Sequence, residues 1–312
     1  MKGFVFAAGY GERLRPITER IPKPLVPVLN VPSICYSLLL LKKAGISDVV
    51  INLHYKMEDI IGFFCENSNF GFNINFSTEE VILGTGGGLK KCERLLSDDD
   101  FVVLNSDVIM DLDIRKLITR HQAAQSYGTV VLYGTSLAKS IGPVGVKDNR
   151  VVDFKNYLDS GVMSDYIYTG AAVLSPRIFQ YLTTQYSSVV YTGYTSIIKN
   201  HRLDYFEHEG LWEDIGNVES YRRANLNVLA SFDKLQKEFR EELGISAEIV
   251  STRASIHKEA VVNNTIIGDG CVVGKGSKID NSVLFAGSKV AEDSRIIDAV
   301  VMGDSKVVTQ RK

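Results

Sequence analysis

From residue 256 onward, aliphatic side chains recur at Ile256, Val262, Ile267, Val273, Ile279, Leu284, Val290, Ile296, Val301 and Val307. The intervals run six, five, six throughout, a repeat of 17 residues, and the segments NNTIIG, DNSVLF and IDAVVM align beneath one another. Short turns rich in Gly, Asp, Asn and Ser separate the aliphatic positions. A flat antiparallel sheet would alternate with period two. A spacing near six, with one inward aliphatic residue per side, describes instead a three-sided β-helix of about three coils.

The first 130 residues follow a different pattern. Val49–Leu53, Phe101–Leu104 and Thr129–Leu132 read as strands, and stretches near 33–44, 57–66, 87–96 and 113–126 read as helices. Continuous apolar strands separated by helices imply a mostly parallel sheet covered on both faces. Ligands of such sheets lie beyond the carboxyl ends of the strands. The middle, about 140–212, has more β character, and Ser175-Pro176 has the composition of a helix start. A long helical stretch, 217–242, follows, and Gly244 is placed to end it.

Residues 7–28 carry the densest chemical signal: Ala7, Ala8, Gly9 and Gly11 follow the apolar run Phe4-Val5-Phe6, then come Arg13, Arg15 and Pro22-Lys23-Pro24-Leu25. Glycines let backbone N–H groups approach phosphate oxygens, and the cations add charge. No Walker A string occurs, and a dinucleotide fingerprint fails because Leu14 stands at its third glycine. Taken whole, G-x-G-x-R-L-x-P-x-T followed by P-K-P-L resembles the entry motif of the sugar-1-phosphate nucleotidyltransferases. The resemblance extends over nearly the whole chain, most closely to mannose-1-phosphate guanylyltransferases and N-acetylmuramate-1-phosphate uridylyltransferases. It implies an α/β fold, a Rossmann-like mixed sheet followed by a short left-handed parallel β-helix. Expected boundaries are 1–243 for the catalytic domain, 244–253 for a linker and 254–312 for the β-helix.

The implied reaction joins a nucleoside triphosphate to a sugar-1-phosphate and releases pyrophosphate. Such chemistry asks the protein for cations, backbone donors and carboxylates that hold Mg²⁺. The resemblance assigns Arg13 to the triphosphate and Lys23 to the reacting phosphate, with Ala7, Ala8, Gly9 and Gly11 lining the nucleotide. Asp107 follows a buried strand into an acidic loop, and Asp214 lies in Leu211-Trp212-Glu213-Asp214-Ile215-Gly216-Asn217, similar to the family's W-x-D-I-G-T. Both are implied Mg²⁺ ligands. Glu79 and the Gly84-Thr85-Gly86-Gly87-Gly88 run look like the base-reading loop. A carboxylate there accepts two parallel bonds from guanine but one from uracil, which favours GTP. On the sugar side, Gly145 and Gly170 match family segments. The E-E-K-P sugar motif is absent, and Lys155 in Asp153-Phe154-Lys155-Asn156 is its nearest counterpart. Guanylyl transfer to a mannose-1-phosphate-like acceptor leads. Uridylyl or thymidylyl transfer to another sugar phosphate, such as N-acetylmuramate-1-phosphate, stays open, as does a non-catalytic nucleotide-sugar-binding subunit. One histidine, His257, is too little for an acyltransferase site in the β-helix.

Composition narrows the classes further. A net charge of −2 implies no broad basic surface for nucleic acid. Cys35, Cys65, Cys92 and Cys271 are far apart, which fits a reducing cytoplasm rather than a disulfide scaffold or zinc site. The run Leu38–Leu41 is too short to span a membrane, and the N-terminus does not read as a signal peptide. A cytoplasmic homo-oligomer, associating through the β-helix, is expected.

Overall fold

The computed structural model describes residues 1–307. The chain forms two compact units, one of Met1–Tyr10 with Tyr36–Trp212, the other of Gly11–Cys35 with the chain from Glu213 on. The segment carrying Arg13 and Lys23 therefore belongs to the unit that holds the β-helix.

The first unit is built on nine strands: β1 (Lys2–Phe6), β2 (Asp48–Leu53), β3 (Asn73–Thr78), β4 (Phe101–Asn105), β5 (Gly128–Gly134), β6 (Val144–Lys147), β7 (Arg150–Phe154), β8 (Tyr166–Leu174) and β9 (Leu203–His208). Their order is β3-β2-β1-β4-β8-β5-β9-β7-β6. Strands β3, β2, β1 and β4 are parallel, so their carboxyl ends share one edge. Strand β8 runs antiparallel between β4 and β5, and its register shifts between Tyr168 and Ala172. The apolar runs fold as expected: Phe4, Val50, Phe101, Val103, Val130 and Leu132 are fully buried in one core with Leu89, Ala172 and Leu203. Helices Ile34–Lys43, Met57–Glu66 and Ile114–Ala124 lie where the periodicity places them.

Three local expectations change. The helix expected at 87–96 starts earlier, at Gly84, and breaks at Cys92 into Gly84–Lys91 and Glu93–Leu96. The stretch 217–242 divides into Val218–Val228 and Phe232–Leu243, because Ser231 leaves helical backbone; Gly244 ends the second in the left-handed region, at φ 69°. After Ser175 the chain forms a short 3₁₀ segment, Pro176–Tyr181, rather than an α-helix.

In the second unit the tail forms a short parallel β-helix. Ile256, Val273 and Val290 stack in one ladder, Val262, Ile279 and Ile296 in the next, and Ile267, Leu284 and Val301 in the third. Each coil buries its inward residues against the next, as the 17-residue spacing requires. Ile256 is 37% exposed, since no coil precedes it in that ladder. Val307 does not begin a fourth coil. The chain reverses at Gly303 and Asp304, and Ser305–Val307 pairs antiparallel with Val300–Met302. Among the described residues, no helix is long and apolar enough to cross a membrane.

Candidate active site

At the carboxyl edge of β1, the chain passes through Ala7 and Ala8, both buried, to exposed Gly9. Among the described residues, a Cβ built on Gly9 would meet nothing within 4 Å. Asn52, near the end of β2, accepts the Ala7 N–H through Oδ1 (3.0 Å) and donates through Nδ2 to Glu79 Oε1 (2.8 Å). The second Glu79 oxygen accepts the Leu83 N–H at 2.8 Å. This chain of bonds is directional. The N–H groups of Ala7 and Leu83 are fixed donors, and Asn52 can turn only one acceptor and one donor face. Residue 79 must then accept from both sides, which a carboxylate does and an amide does not.

Glu79 is 3% exposed and faces inward. Each of its carboxylate oxygens accepts one hydrogen bond that holds the loop. Neighbouring His54 lies 2.8 Å from the Glu79 carbonyl through Nδ1 and 2.9 Å from the Tyr10 hydroxyl through Nε2. A carbonyl only accepts, so Nδ1 carries the proton. Neither Asn52 nor His54 stood out as a candidate from sequence. The available signal was Asn52 itself, a lone amide inside the apolar run Val49–Leu53.

The glycines of 84–88 are closely packed. They lie within the helix Gly84–Lys91 rather than in an open loop. A Cβ on Gly87 would overlap the Gln185 carbonyl, one on Gly86 would overlap the Ser187 hydroxyl, and one on Gly88 would sit 2.7 Å from Glu79 Oε1. The segment after Gln185 is sewn to this helix by Gly86 N–H to Ser187 O (2.8 Å), Ser187 N–H to Leu83 O (3.0 Å) and Val189 N–H to the Thr85 hydroxyl (2.9 Å). Gly84 lies beneath the ring edge of Tyr186, with φ 67°.

Asp107 follows β4 and is half-buried. Just before it, Asn105 lies against Gly170, where φ is 91° and a Cβ would come within 2.6 Å of the Asn105 amide. Gly170 is thus the residue that lets the bulge of β8 close over the end of β4. Gly145 and Lys155 form a separate corner. A Cβ on Gly145 would strike the Val162 carbonyl, and the Lys155 side chain runs past Gly142. The loop after β7 is organised by Asp153, which is fully buried and accepts the N–H groups of Phe154 (2.8 Å), Leu158 (3.0 Å) and Ser160 (3.1 Å). Burial alone would push its carboxyl up, but these donors outweigh it and hold the group below the ordinary carboxylate range.

In the second unit, Gly11 adopts φ 67°, and a Cβ there would meet Thr18 at 2.8 Å and Lys23 at 3.2 Å. The Thr18 hydroxyl donates to the Gly11 carbonyl at 2.8 Å, closing the turn that presents exposed Arg13. Arg13 and Asp214 come together about Gly216: a Cβ on that glycine would lie 2.7 Å from an Asp214 oxygen and 3.3 Å from an Arg13 nitrogen. Motifs some 200 residues apart in sequence thus place a guanidinium and a carboxylate at one point. Asn217, which stands where the family pattern has Thr, forms a reciprocal cap with Ser220 and starts the helix Val218–Val228. Among the described residues, no three His, Cys, Asp or Glu side chains form a metal-binding group.

Comparison with known proteins gives the site its family. The profile of the family described as "Nucleotidyl transferase" matches residues 2–231, and that described as "GlmU-like, C-terminal hexapeptide" matches 245–312. A mannose-1-phosphate guanyltransferase of Hypocrea jecorina is 32% identical over 239 residues, covering 75% of this chain and 66% of that protein. The same name belongs to a Candida albicans protein 32% identical over 247 residues, 76% of this chain and 67% of its own. The chain therefore spans about two-thirds of the length of these relatives. A Bacillus anthracis structure bearing the name of a glucose-1-phosphate thymidylyltransferase superposes with a TM-score of 0.63 at 27% identity, covering 72% of this chain and 94% of that one. With a match across most of its length and the cation and carboxylate motifs in place, the chain belongs to the nucleotidyl transferase family.

Proposed function

We propose that the protein transfers a nucleoside monophosphate from a nucleoside triphosphate to a sugar-1-phosphate, releasing pyrophosphate. The observation that carries this reading is the meeting of Arg13 and Asp214 about Gly216. A polyphosphate-binding cation and a hard oxygen ligand are held side by side, and the backbone beneath them has no side chain. The sugar phosphate oxygen attacks the α-phosphorus, and pyrophosphate leaves in line. Arg13 neutralises the triphosphate, and Lys23 neutralises charge growing at the reacting phosphate. Gly9, bordered by open space, gives the triphosphate close access to backbone. Asp107 and Asp214 are the carboxylates proposed to hold Mg²⁺, an ion that needs only one or two protein carboxylates beside phosphate oxygens and water. When bound, it would supply charge neutralisation to the leaving pyrophosphate.

GTP and a mannose-1-phosphate-like acceptor lead, on the names of the relatives at 32% identity. With Glu79 turned inward, base reading passes to backbone groups of the 82–85 segment, which Glu79 positions. Gly145, Lys155 and Gly170 are proposed for the sugar side. Residues 1–243 would form the catalytic part, 244–253 a connector and 254–312 the β-helix, through which copies associate. The test is Mg²⁺-dependent pyrophosphate release with GTP, UTP, dTTP and ATP crossed against a panel of sugar-1-phosphates. Turnover fastest with GTP and mannose-1-phosphate is expected. Faster turnover of UTP with every acceptor would replace guanylyl by uridylyl transfer, and no release with any pair would remove the catalytic reading.

A further inference from the structure

The segment that carries Arg13 and Lys23 ends in a tight hairpin. Pro27–Val28 pairs with Val31–Pro32 around Leu29 and Asn30, both with positive φ, 49° and 60°. A fully buried leucine seldom adopts that backbone, so something must hold it there. Three partners do. Asn225, on the helix Val218–Val228, accepts the Leu29 N–H at 3.0 Å. Tyr221, one turn earlier, donates to the Pro27 carbonyl at 2.7 Å. The Asn30 side chain donates to the carbonyls of Glu248 (2.9 Å) and Ile267 (3.0 Å), the second of which lies in the first coil of the β-helix.

The same helix grips the β-helix on its other side. Arg222 donates to the Asn281 carbonyl at 3.0 Å and lies 3.4 Å from the Asp298 carboxylate. Asn264, Asn281 and Asp298 form one corner ladder at 17-residue spacing, all with positive φ, and Asn264 donates to Asn281 at 2.6 Å. The buried Tyr221 ring packs on Phe285, with ring centres 5.5 Å apart. The helix that begins just after Asp214 is therefore bonded to the cation-bearing segment along one side and to two coils of the β-helix along the other.

We propose that Asn30, Tyr221 and Arg222 are positioning residues for the phosphate-binding segment, and that the β-helix is the rigid body against which that segment is set. This goes beyond an assembly role for the β-helix, and it rests on the reading that Arg13 and Lys23 hold the triphosphate. The coils act on triphosphate binding without touching the ligand.

The test uses the full-length protein and three variants. Asn30→Gly keeps the positive φ and removes both bonds to the carbonyls. Tyr221→Phe removes only the hydroxyl. Arg222→Ala removes the grip on the corner ladder, with Arg222→Lys as the conservative partner. Lys278→Ala, on an exposed side of a coil, is the control. Two readouts are taken: hydrogen exchange of the amides in 11–33, and the dissociation constant for GTP measured without acceptor. The expected result is faster exchange in 11–33 for Asn30→Gly, Tyr221→Phe and Arg222→Ala, partial recovery in Arg222→Lys, and no change in Lys278→Ala. GTP affinity should fall about tenfold in Asn30→Gly, as the loss of two partly buried bonds would give. Exchange in 11–33 that matches the wild type in all three variants overturns the proposal. So does faster exchange with GTP affinity intact, because the segment would then move without consequence for the ligand. If the wild type itself binds no GTP, UTP, dTTP or ATP, the functional reading fails separately, and exchange alone decides whether the β-helix sets the segment.

Discussion

Gly86, Gly87 and Gly88 are glycines because neighbouring chain presses on them; Gly9 is a glycine beside empty space. In the helix Gly84–Lys91, the missing side chains admit the segment after Gln185 and the Asn52–Glu79 pair. At Gly9, no described residue comes within 4 Å of a built Cβ, and this is the room that the proposed triphosphate would use. The difference teaches that a glycine-rich string is not one signal. The same residue type marks internal closure in one place and open surface in another, and only the surroundings separate them.

The largest effects should fall on the charged groups proposed to hold phosphate and Mg²⁺. Arg13→Ala, Lys23→Ala, Asp107→Asn and Asp214→Asn are each expected to lower turnover by about 10²–10³-fold, the scale of losing one transition-state charge contact, with thermal unfolding little changed. A variant that unfolds early but turns over normally would move that residue from chemistry to packing. The glycines come next. Gly87→Ala should cost about 1–3 kcal/mol of stability, because its Cβ would overlap the Gln185 carbonyl. Gly9→Ala should stay within about 0.5 kcal/mol of the wild type in urea unfolding while weakening GTP binding. Equal stability losses in both would break the contrast.

Glu79→Gln should cost about as much stability as Gly87→Ala. Its amide must aim a donor at either Asn52 or the Leu83 N–H, leaving a buried donor without an acceptor at about 1–3 kcal/mol. Calorimetric unfolding together with GTP affinity checks it, and unchanged values would show that the carboxylate is not needed as a double acceptor. The last prediction concerns the pH dependence that Asp153 sets. Its carboxyl titrates below the usual range in the folded protein. The stability it contributes is thus present above the unfolded-state value of about 3.9 and lost as pH falls through the folded one. Asn at this position should lower stability at neutral pH and flatten the acid decline in urea midpoints between about pH 5 and 2. A decline as steep as the wild type would clear Asp153 of that role.

Sequence exposed the parts of this molecule whose logic is periodic or contiguous. The 17-residue spacing gave three ladders because one register error would turn every aliphatic residue outward. The parallel core strands were visible as unbroken apolar runs. The Gly-x-Gly-x-Arg and Trp-x-Asp strings were readable as motifs, yet their meeting about Gly216 was not, since it depends on the fold bringing residues 13 and 214 together. Glu79 was singled out for the base edge, and its bonds within the fold were not legible. Its acceptor chemistry was right, but its partners, Asn52 and Leu83, are set by strand register and loop path rather than by local sequence. The break at Ser231 and the early helix start at Gly84 escaped for the same reason: tertiary packing overrode the local pattern.

Because Ser305–Val307 runs back along Val300–Met302, the outer edge of that β-helix face is taken by the chain itself. A lineage of such proteins could lengthen this module from within, by duplicating a whole 17-residue coil upstream of the reversal. A duplication one residue short would put aliphatic side chains into water and solvated turns into the core. Heritable growth of the module is therefore stepwise, with the step fixed by its circumference and the closing strand carried along unchanged.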